Sequence, residues 1–115
     1  VVGHSLGSII AYDILRHRDD LDVPLFLTLG SPLGIQSIRK WFEPLAYPKC
    51  VQRWFNAFDP RDLIAMYPLN GENFPVKPEV VNYSQVQNRT PNAHGIFGYL
   101  GDRYVAETLL KAMTD

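Results

Sequence analysis

The chain has 115 residues, of which 46% are hydrophobic and 20% charged, and its formal net charge is −1 at pH 7. This length suits one domain, and the near-neutral charge gives no electrostatic basis for binding nucleic acid or an anionic membrane. The single cysteine, Cys50, excludes a disulfide within the chain and a cysteine-rich zinc site, and it favours a reducing, cytoplasmic compartment. No apolar run approaches the roughly 20 residues that cross a bilayer, so we expect no transmembrane segment.

The first residues predict a strand that runs directly into a helix. Val1 and Val2 are typical of a strand end, and we expect the helix to extend from Leu6 to about His17. The predicted buried face of this helix consists of Leu6, Ile9, Ile10 and Ile14, which recur at helical spacing. A segment rich in aspartate, 19–24, ends the helix.

The remaining segments alternate between short apolar runs and helices. "PLFLTLGSPLG" and "CVQRWFNAF" predict buried strands, "VVNYSQV" predicts a weaker one, and prolines mark a long loop after residue 58. The closing helix carries Val105, Leu109, Ala112 and Met113 at helical spacing. This alternation predicts an α/β fold with a mostly parallel sheet flanked by helices, whose chemistry lies at the carboxyl ends of the strands.

The segment Gly3-His4-Ser5-Leu6-Gly7 has the spacing of a nucleophile elbow, a sharp turn from strand to helix. We expect the two glycines to let neighbouring backbone pass without a Cβ clash, and the N–H of Leu6 to be able to donate to an oxyanion. The alternative is a glycine-rich turn that binds phosphate or nothing. A Walker loop is excluded because no Gly-Lys-Ser/Thr follows, and a dinucleotide fingerprint because Ser8 occupies its third glycine position.

A serine nucleophile needs a base, and the base needs an acid that orients it. Asp59 and Asp62 follow the strand predicted at 50–58, and His94 lies in a loop before the last helix. This gives the order serine, acid, histidine, which is one of the known chain orders of a catalytic triad. Of the other histidines, His17 lies near a helix C-terminus, where a cation needs no catalytic role. His4 is expected to point away from the serine as a packing or hydrogen-bonding residue.

Four segments in order, "GHSLGS", "LTLGSP", "NAFDPRDLIA" and "AHGIFGYL", resemble the C-terminal half of an α/β-hydrolase superfamily serine hydrolase of the lipase or esterase kind. The resemblance extends over most of the chain. It implies a catalytic triad of Ser5, Asp62 and His94, an oxyanion hole that includes the amide of Leu6, and no cofactor. No metal is expected either, because the histidines and carboxylates show no ligand spacing.

Two aspartates remain candidates for the acid of this triad. Asp62 is preferred because the apolar residues that follow it match the family pattern, and Asp59 is the alternative acid. The aspartate that is not catalytic is expected to cap the turn, since aspartate before proline is a common turn starter. The other acid position of the family falls on Gly30-Ser31-Pro32 and carries no carboxylate.

The activity implied by the resemblance is hydrolysis of carboxylic esters through an acyl-enzyme on Ser5, with a small-molecule or lipid ester as substrate. An acyltransferase or an amidase would use the same triad, and a non-catalytic hydrolase-like fragment is the alternative from a different class. The apolar residues of the segment 35–47 either line an acyl pocket or lid or belong to the core; they are Ile35, Ile38, Trp41, Phe42 and Tyr47.

The resemblance also implies that residues 1–115 form a single partial domain, from the nucleophile elbow to the C-terminal helix. In the family the sheet normally has eight strands and the nucleophile follows the fifth, so we expect four strands and the second oxyanion donor to precede Val1 in a complete enzyme. Loss of one such donor costs about 10²–10³ in rate. We therefore expect the chain alone to be weakly active or inactive and, because its first strand has an unpaired edge, poorly soluble or self-associated.

Overall fold

Four parallel strands form the sheet at the centre of residues 1–114, the part of the chain that the computed structural model describes. They are β1 (Val2–His4), β2 (Phe26–Leu29), β3 (Trp54–Ala57) and β4 (Val81–Tyr83), and they lie side by side in chain order. A bridge between Val23 and Val51 continues the pairing of β2 with β3. The predicted α/β class, with a parallel sheet flanked by helices, is confirmed.

Helices and short 3₁₀ turns connect the strands. Within the described residues the helices are α1 (Leu6–Leu15), α2 (Gln36–Arg39), α3 (Ile96–Leu100) and α4 (Arg103–Thr114). The 3₁₀ turns are Pro32–Gly34, Lys40–Phe42 and Pro91–Ala93. Among the helices of this part of the chain, none has the length and apolar character needed to span a membrane.

Alternating side chains of the strands fill a separate core on each face of the sheet. On one face Phe26 and Trp54 pack with Tyr12 of α1. On the other face Leu27 packs in a cluster that contains Tyr99 of α3. All four residues of β2 are buried, as expected for a central parallel strand that is covered on both faces.

The buried face of α1 differs from the one predicted from its apolar residues. The predicted face is wrong for three of its residues: Leu6, Ile10 and Ile14 are 64%, 55% and 52% exposed. The buried residues are instead Ser8, Tyr12 and Leu15. The preceding turn determines this rotation, because a Cβ on Gly3 would lie only 2.7 Å from the Cα of Ser8. Ser8 therefore faces the sheet, and the residues one and two turns later share its face.

For two other apolar segments, the predicted burial is correct for some residues and wrong for others. Phe42 is buried in the core that contains Tyr12, and Ile38 and Tyr47 pack against that core, so the core interpretation is confirmed for these residues. Trp41 is exposed and belongs to no core cluster of the described residues. In α4 the prediction is correct for Val105, Leu109 and Ala112, which contact the other core, but wrong for Met113, which is exposed.

Candidate active site

The three predicted triad residues follow three different strands of the sheet. Ser5 comes directly after β1, Asp62 lies in the loop after β3, and His94 lies in the loop after β4. Parallel strands end at the same edge of a sheet, so these loops meet there although the residues are far apart in sequence. The site is built from backbone that leaves the carboxyl ends of the strands.

The turn between β1 and α1 holds Ser5 in a conformation that few side chains adopt. Its φ and ψ are 55° and −127°, and a positive φ at a residue other than glycine costs about 1–3 kcal/mol. The Ser5 N–H donates to the Leu29 carbonyl at 2.9 Å, and the Ser5 carbonyl accepts from the N–H of Ser8 at 3.0 Å. These bonds hold the backbone in place, and α1 begins at the next residue, Leu6.

The two glycines of the turn differ in their surroundings. A Cβ on Gly3 would collide with the backbone of Ser8, as predicted. A Cβ on Gly7 would meet no atom of the described residues within 4 Å, so the prediction of a close backbone approach at Gly7 is wrong. The turn from β1 folds back over Gly3, whereas the space next to the Cα of Gly7 is open among the described residues.

Ser5, His94 and Asp62 form a continuous hydrogen-bonded array. The Nδ1 of His94 lies 2.7 Å from Oδ2 of Asp62, and the Nε2 of His94 lies 2.7 Å from Oγ of Ser5. A carboxylate can only accept, so Nδ1 donates to Asp62, and Nε2 is left to accept from the Ser5 hydroxyl. The Asp62 side chain is 1% exposed and that of His94 24% exposed, so the acid is shielded while the imidazole reaches solvent. We call these residues the Ser5–His94–Asp62 array.

Asp62 is held by two further donors. The N–H of Ile64 donates to Oδ1 at 3.0 Å, and the hydroxyl of Tyr99 donates to Oδ2 at 2.6 Å. Burial, followed by the hydrogen bond to Asp62, raises the pKa of Tyr99 well above its usual range, so the phenol stays protonated. Sequence reasoning missed Tyr99. The available signal was its place five residues after His94, on the helix that directly follows the histidine loop.

Asp59, the alternative acid, binds other partners. Its Oδ2 lies 2.6 Å from Nη2 of Arg61 and accepts the N–H of Asn88 at 2.8 Å, and its Oδ1 accepts the N–H of Arg61 at 2.8 Å. The last of these bonds caps the turn, as expected of the aspartate that does not contact His94. The Arg61 side chain, outweighing burial, lowers the pKa of Asp59 to about 2.

Asn88 links Asp59 to the loop that carries His94. Its amide donates to the carbonyl of Gly95 at 2.8 Å, and its Oδ1 accepts the N–H of Thr90 at 3.0 Å. The hydroxyl of Thr90 in turn accepts the N–H of Gly95 at 2.7 Å. Sequence reasoning missed this polar network, which holds the histidine loop on both sides of His94.

His4 contacts the backbone of His94 and not its reactive nitrogen. The Nε2 of His4 lies 2.7 Å from the His94 carbonyl oxygen, which can only accept, so His4 donates. The centroids of the two imidazole rings are 5.0 Å apart. His4 is thus the hydrogen-bonding residue that the sequence indicated. His17 instead bonds through Nδ1 to the carbonyl of Asp13 at 2.8 Å, at the exposed end of α1.

Gly30 packs directly against the acid and the base of the array. Its φ is +57°, and a Cβ there would lie 3.0 Å from Oδ2 of Asp62, 3.0 Å from Cε2 of Tyr99 and 3.1 Å from Nδ1 of His94. Both the backbone conformation and the lack of space require glycine. The position that the resemblance marks as the alternative acid site of α/β-hydrolases is occupied here by Gly30, whose lack of a side chain leaves room for Asp62.

A groove with a volume of about 670 Å³ opens beside the array. The residues that line it are His4, Arg61, Asp62, Leu63, Ile64, Pro91, Asn92, His94 and Gly95. Leu63 is 75% exposed and Ile64 is also exposed, so apolar side chains border the polar array. Within residues 1–114, no three histidine, cysteine or acidic side chains lie close enough together to hold a metal ion.

Comparison with known proteins adds no family assignment. No family model matches the chain, and no curated protein or solved structure is significantly similar to it. The resemblance to α/β-hydrolases therefore depends on the four sequence segments and on the geometry of the site.

Proposed function

We propose that this chain carries the nucleophile, base and acid of an α/β-hydrolase-type serine hydrolase that cleaves carboxylic esters. The observation that carries the proposal is the Ser5–His94–Asp62 array, with both of its hydrogen bonds at 2.7 Å. A serine, an imidazole and a buried carboxylate in this order are the arrangement that activates a serine hydroxyl at neutral pH.

In the proposed reaction, Oγ of Ser5 attacks the ester carbonyl while Nε2 of His94 takes the serine proton. The imidazolium then gives this proton to the leaving alcohol, and an acyl-enzyme remains on Ser5. Water then attacks the acyl carbon while His94 removes its proton, the bond between the acyl carbon and Oγ breaks, and the imidazolium returns the proton to Ser5 as the acyl group leaves as a carboxylic acid. Throughout, Asp62 keeps the Nδ1 proton of His94 in place and stabilises the imidazolium, without itself taking the proton.

The oxyanion formed in each step needs hydrogen-bond donors. Leu6 is the first residue of α1, and the N–H groups of a first helical turn have no partner within the helix. The positive end of the helix dipole lies at the same place, next to the nucleophile. We assign the Leu6 N–H as one oxyanion donor.

The groove beside His94 supports an ester with an apolar part. Leu63 and Ile64 present aliphatic surface in the groove that Asp62 and His94 also line. Burial of an aliphatic chain there would contribute about 0.8 kcal/mol per CH₂ group. The proposed substrate class therefore includes lipid esters.

A fluorophosphonate probe tests the proposal directly, because it phosphonylates only an activated serine. We expect weak turnover from the chain alone, but labelling needs only one reaction per molecule, so the 115-residue chain should still gain the mass of one phosphonyl group, measured by intact-protein mass spectrometry. Ser5→Ala should abolish this gain. Ser37→Ala, which removes an exposed serine of α2, is the matched control and should leave it unchanged. Failure of the folded wild-type chain to react, or equal reaction of Ser5→Ala, would contradict the proposal.

A further inference from the structure

Tyr99 bonds to the same carboxylate oxygen that His94 uses. Its hydroxyl lies 2.6 Å from Oδ2 of Asp62, and Nδ1 of His94 lies 2.7 Å from that same atom. The phenol oxygen also accepts the N–H of Asp59 at 3.2 Å. Because this amide fills the acceptor side of the oxygen, the phenol proton is directed at Asp62.

The surroundings allow Tyr99 little freedom. The side chain is fully buried, and it packs in the core cluster beneath the sheet. Its ring edge and Oδ2 of Asp62 are each 3.0 Å from the point where a Cβ on Gly30 would lie. His94 precedes α3 and Tyr99 lies within it, so one continuous segment brings both donors to the carboxylate.

This arrangement divides the charge of one carboxylate oxygen between two donors. Each hydrogen bond to Oδ2 stabilises the ionised carboxylate. Because the phenol already stabilises part of the negative charge, the attraction between Oδ2 and an imidazolium at His94 is weaker. The phenol also fixes the rotation of the carboxyl group, because Oδ2 cannot turn away from His94 without losing both partners.

We propose that Tyr99 is a positioning residue, whose hydroxyl fixes the Asp62 carboxylate and limits the charge that Oδ2 offers to His94. This inference rests on the proposed hydrolase function. It predicts that the phenol influences the reaction only through Asp62. Loss of the phenol should therefore change turnover and its pH dependence but leave substrate binding unchanged.

Tyr99→Phe removes the hydroxyl and keeps the buried ring. With p-nitrophenyl butyrate as substrate, we expect kcat to fall about tenfold and KM to stay within about twofold. The acid limb of the kcat/KM profile should move to higher pH by about half a unit, because the carboxylate that has lost a donor stabilises the imidazolium more strongly. A merely structural role would lower thermal stability without moving this limb.

Tyr83→Phe is the matched control. The Tyr83 hydroxyl also donates to an aspartate, Oδ2 of Asp102 at 3.3 Å, but this aspartate is not hydrogen-bonded to His94. We expect its kinetics and pH profile to equal those of the wild type. If Tyr99→Phe folds and keeps the wild-type kcat and pH profile, or if Tyr83→Phe produces the same changes, the inference is overturned.

A spectroscopic measurement separates this inference from the proposed function. Because Nδ1 of His94 lies 2.7 Å from Oδ2 of Asp62, we expect its proton to give a low-field NMR resonance in the folded chain whether or not the chain turns over substrate. Tyr99→Phe should shift this resonance, and Tyr83→Phe should not. A folded wild-type chain that the fluorophosphonate does not label would contradict the proposed function alone, whereas an unshifted resonance in Tyr99→Phe would overturn the role of Tyr99. Should that variant fail to fold, 3-fluorotyrosine at position 99, a stronger donor, should move the resonance in the opposite direction; no movement would overturn the inference.

Discussion

Replacing Gly30 with alanine would add one methyl group at the most crowded point of the site. The new Cβ would lie 3.0–3.1 Å from Oδ2 of Asp62, Cε2 of Tyr99 and Nδ1 of His94, so these atoms must move by a few tenths of an ångström. The left-handed backbone, with φ of +57°, costs an alanine about 1–2 kcal/mol. The reduced entropy of the unfolded chain offsets about 0.4–1 kcal/mol of this.

We therefore expect Gly30→Ala to lower the free energy of unfolding by about 1 kcal/mol, which corresponds to a fall in Tm of about 4 °C for a domain of this size. The larger effect should be on reactivity. A misplacement of 1 Å costs about 10²-fold in rate, so a few tenths of an ångström at both partners of His94 should slow phosphonylation of Ser5 about three- to tenfold.

Scanning calorimetry and the rate constant of fluorophosphonate labelling measure these two effects separately. Gly71→Ala is the matched control, because Gly71 lies in a loop, lacks a positive φ and has no atom within 4 Å of its added Cβ. This control should keep the wild-type labelling rate and gain a few tenths of a kcal/mol in stability. A Gly30→Ala variant with wild-type Tm and wild-type labelling would refute the argument that this position requires glycine.

Two further predictions distinguish the aspartates. Asp62→Asn should lower kcat by about 10⁴, the scale known for this change in a serine protease, whereas Asp59→Asn should retain most of the turnover; the reverse result in steady-state esterase assays would make Asp59 the acid. Asp59 should instead stabilise the fold in a pH-dependent way. Because its pKa is lowered to about 2 from 3.8, its contribution of about 1–2 kcal/mol is complete above pH 4 and lost as the pH falls towards 2. Denaturant unfolding at pH 5 and pH 2 should therefore show the difference between wild type and Asp59→Asn shrinking; a constant difference would contradict the ionic role.

The α/β fold was predictable because its signals are local. Short apolar runs and the helical spacing of Val105 and Leu109 are properties of neighbouring residues, and they do not depend on how the elements pack. The rotation of α1 was not predictable in this way. It depends on the contact of Gly3 with Ser8, which forms only when the strand-to-helix turn closes.

The site was predictable to the extent that its residues occur in a known order. Ser5, Asp62 and His94 follow separate strands, and the parallel sheet brings their loops together. Tyr99, Asn88 and Gly30 were missed because their contacts with Asp62, Asp59 and His94 join segments that are far apart in sequence, and the position of Tyr99 five residues after His94 was the single local signal. Each acts on a side chain from another strand, so its role follows only from the distances between those segments.

The separation of Ser5 and His94 by 89 positions has a consequence for folding. This hydrogen-bonded pair can form only when β1, at one edge of the described sheet, and the loop beyond β4, at the other, have both reached their native places. Contacts that span so much of a chain are entropically late to form. The proposed reactivity of Ser5 would therefore report complete folding, and under increasing urea it should disappear with the first loss of tertiary structure.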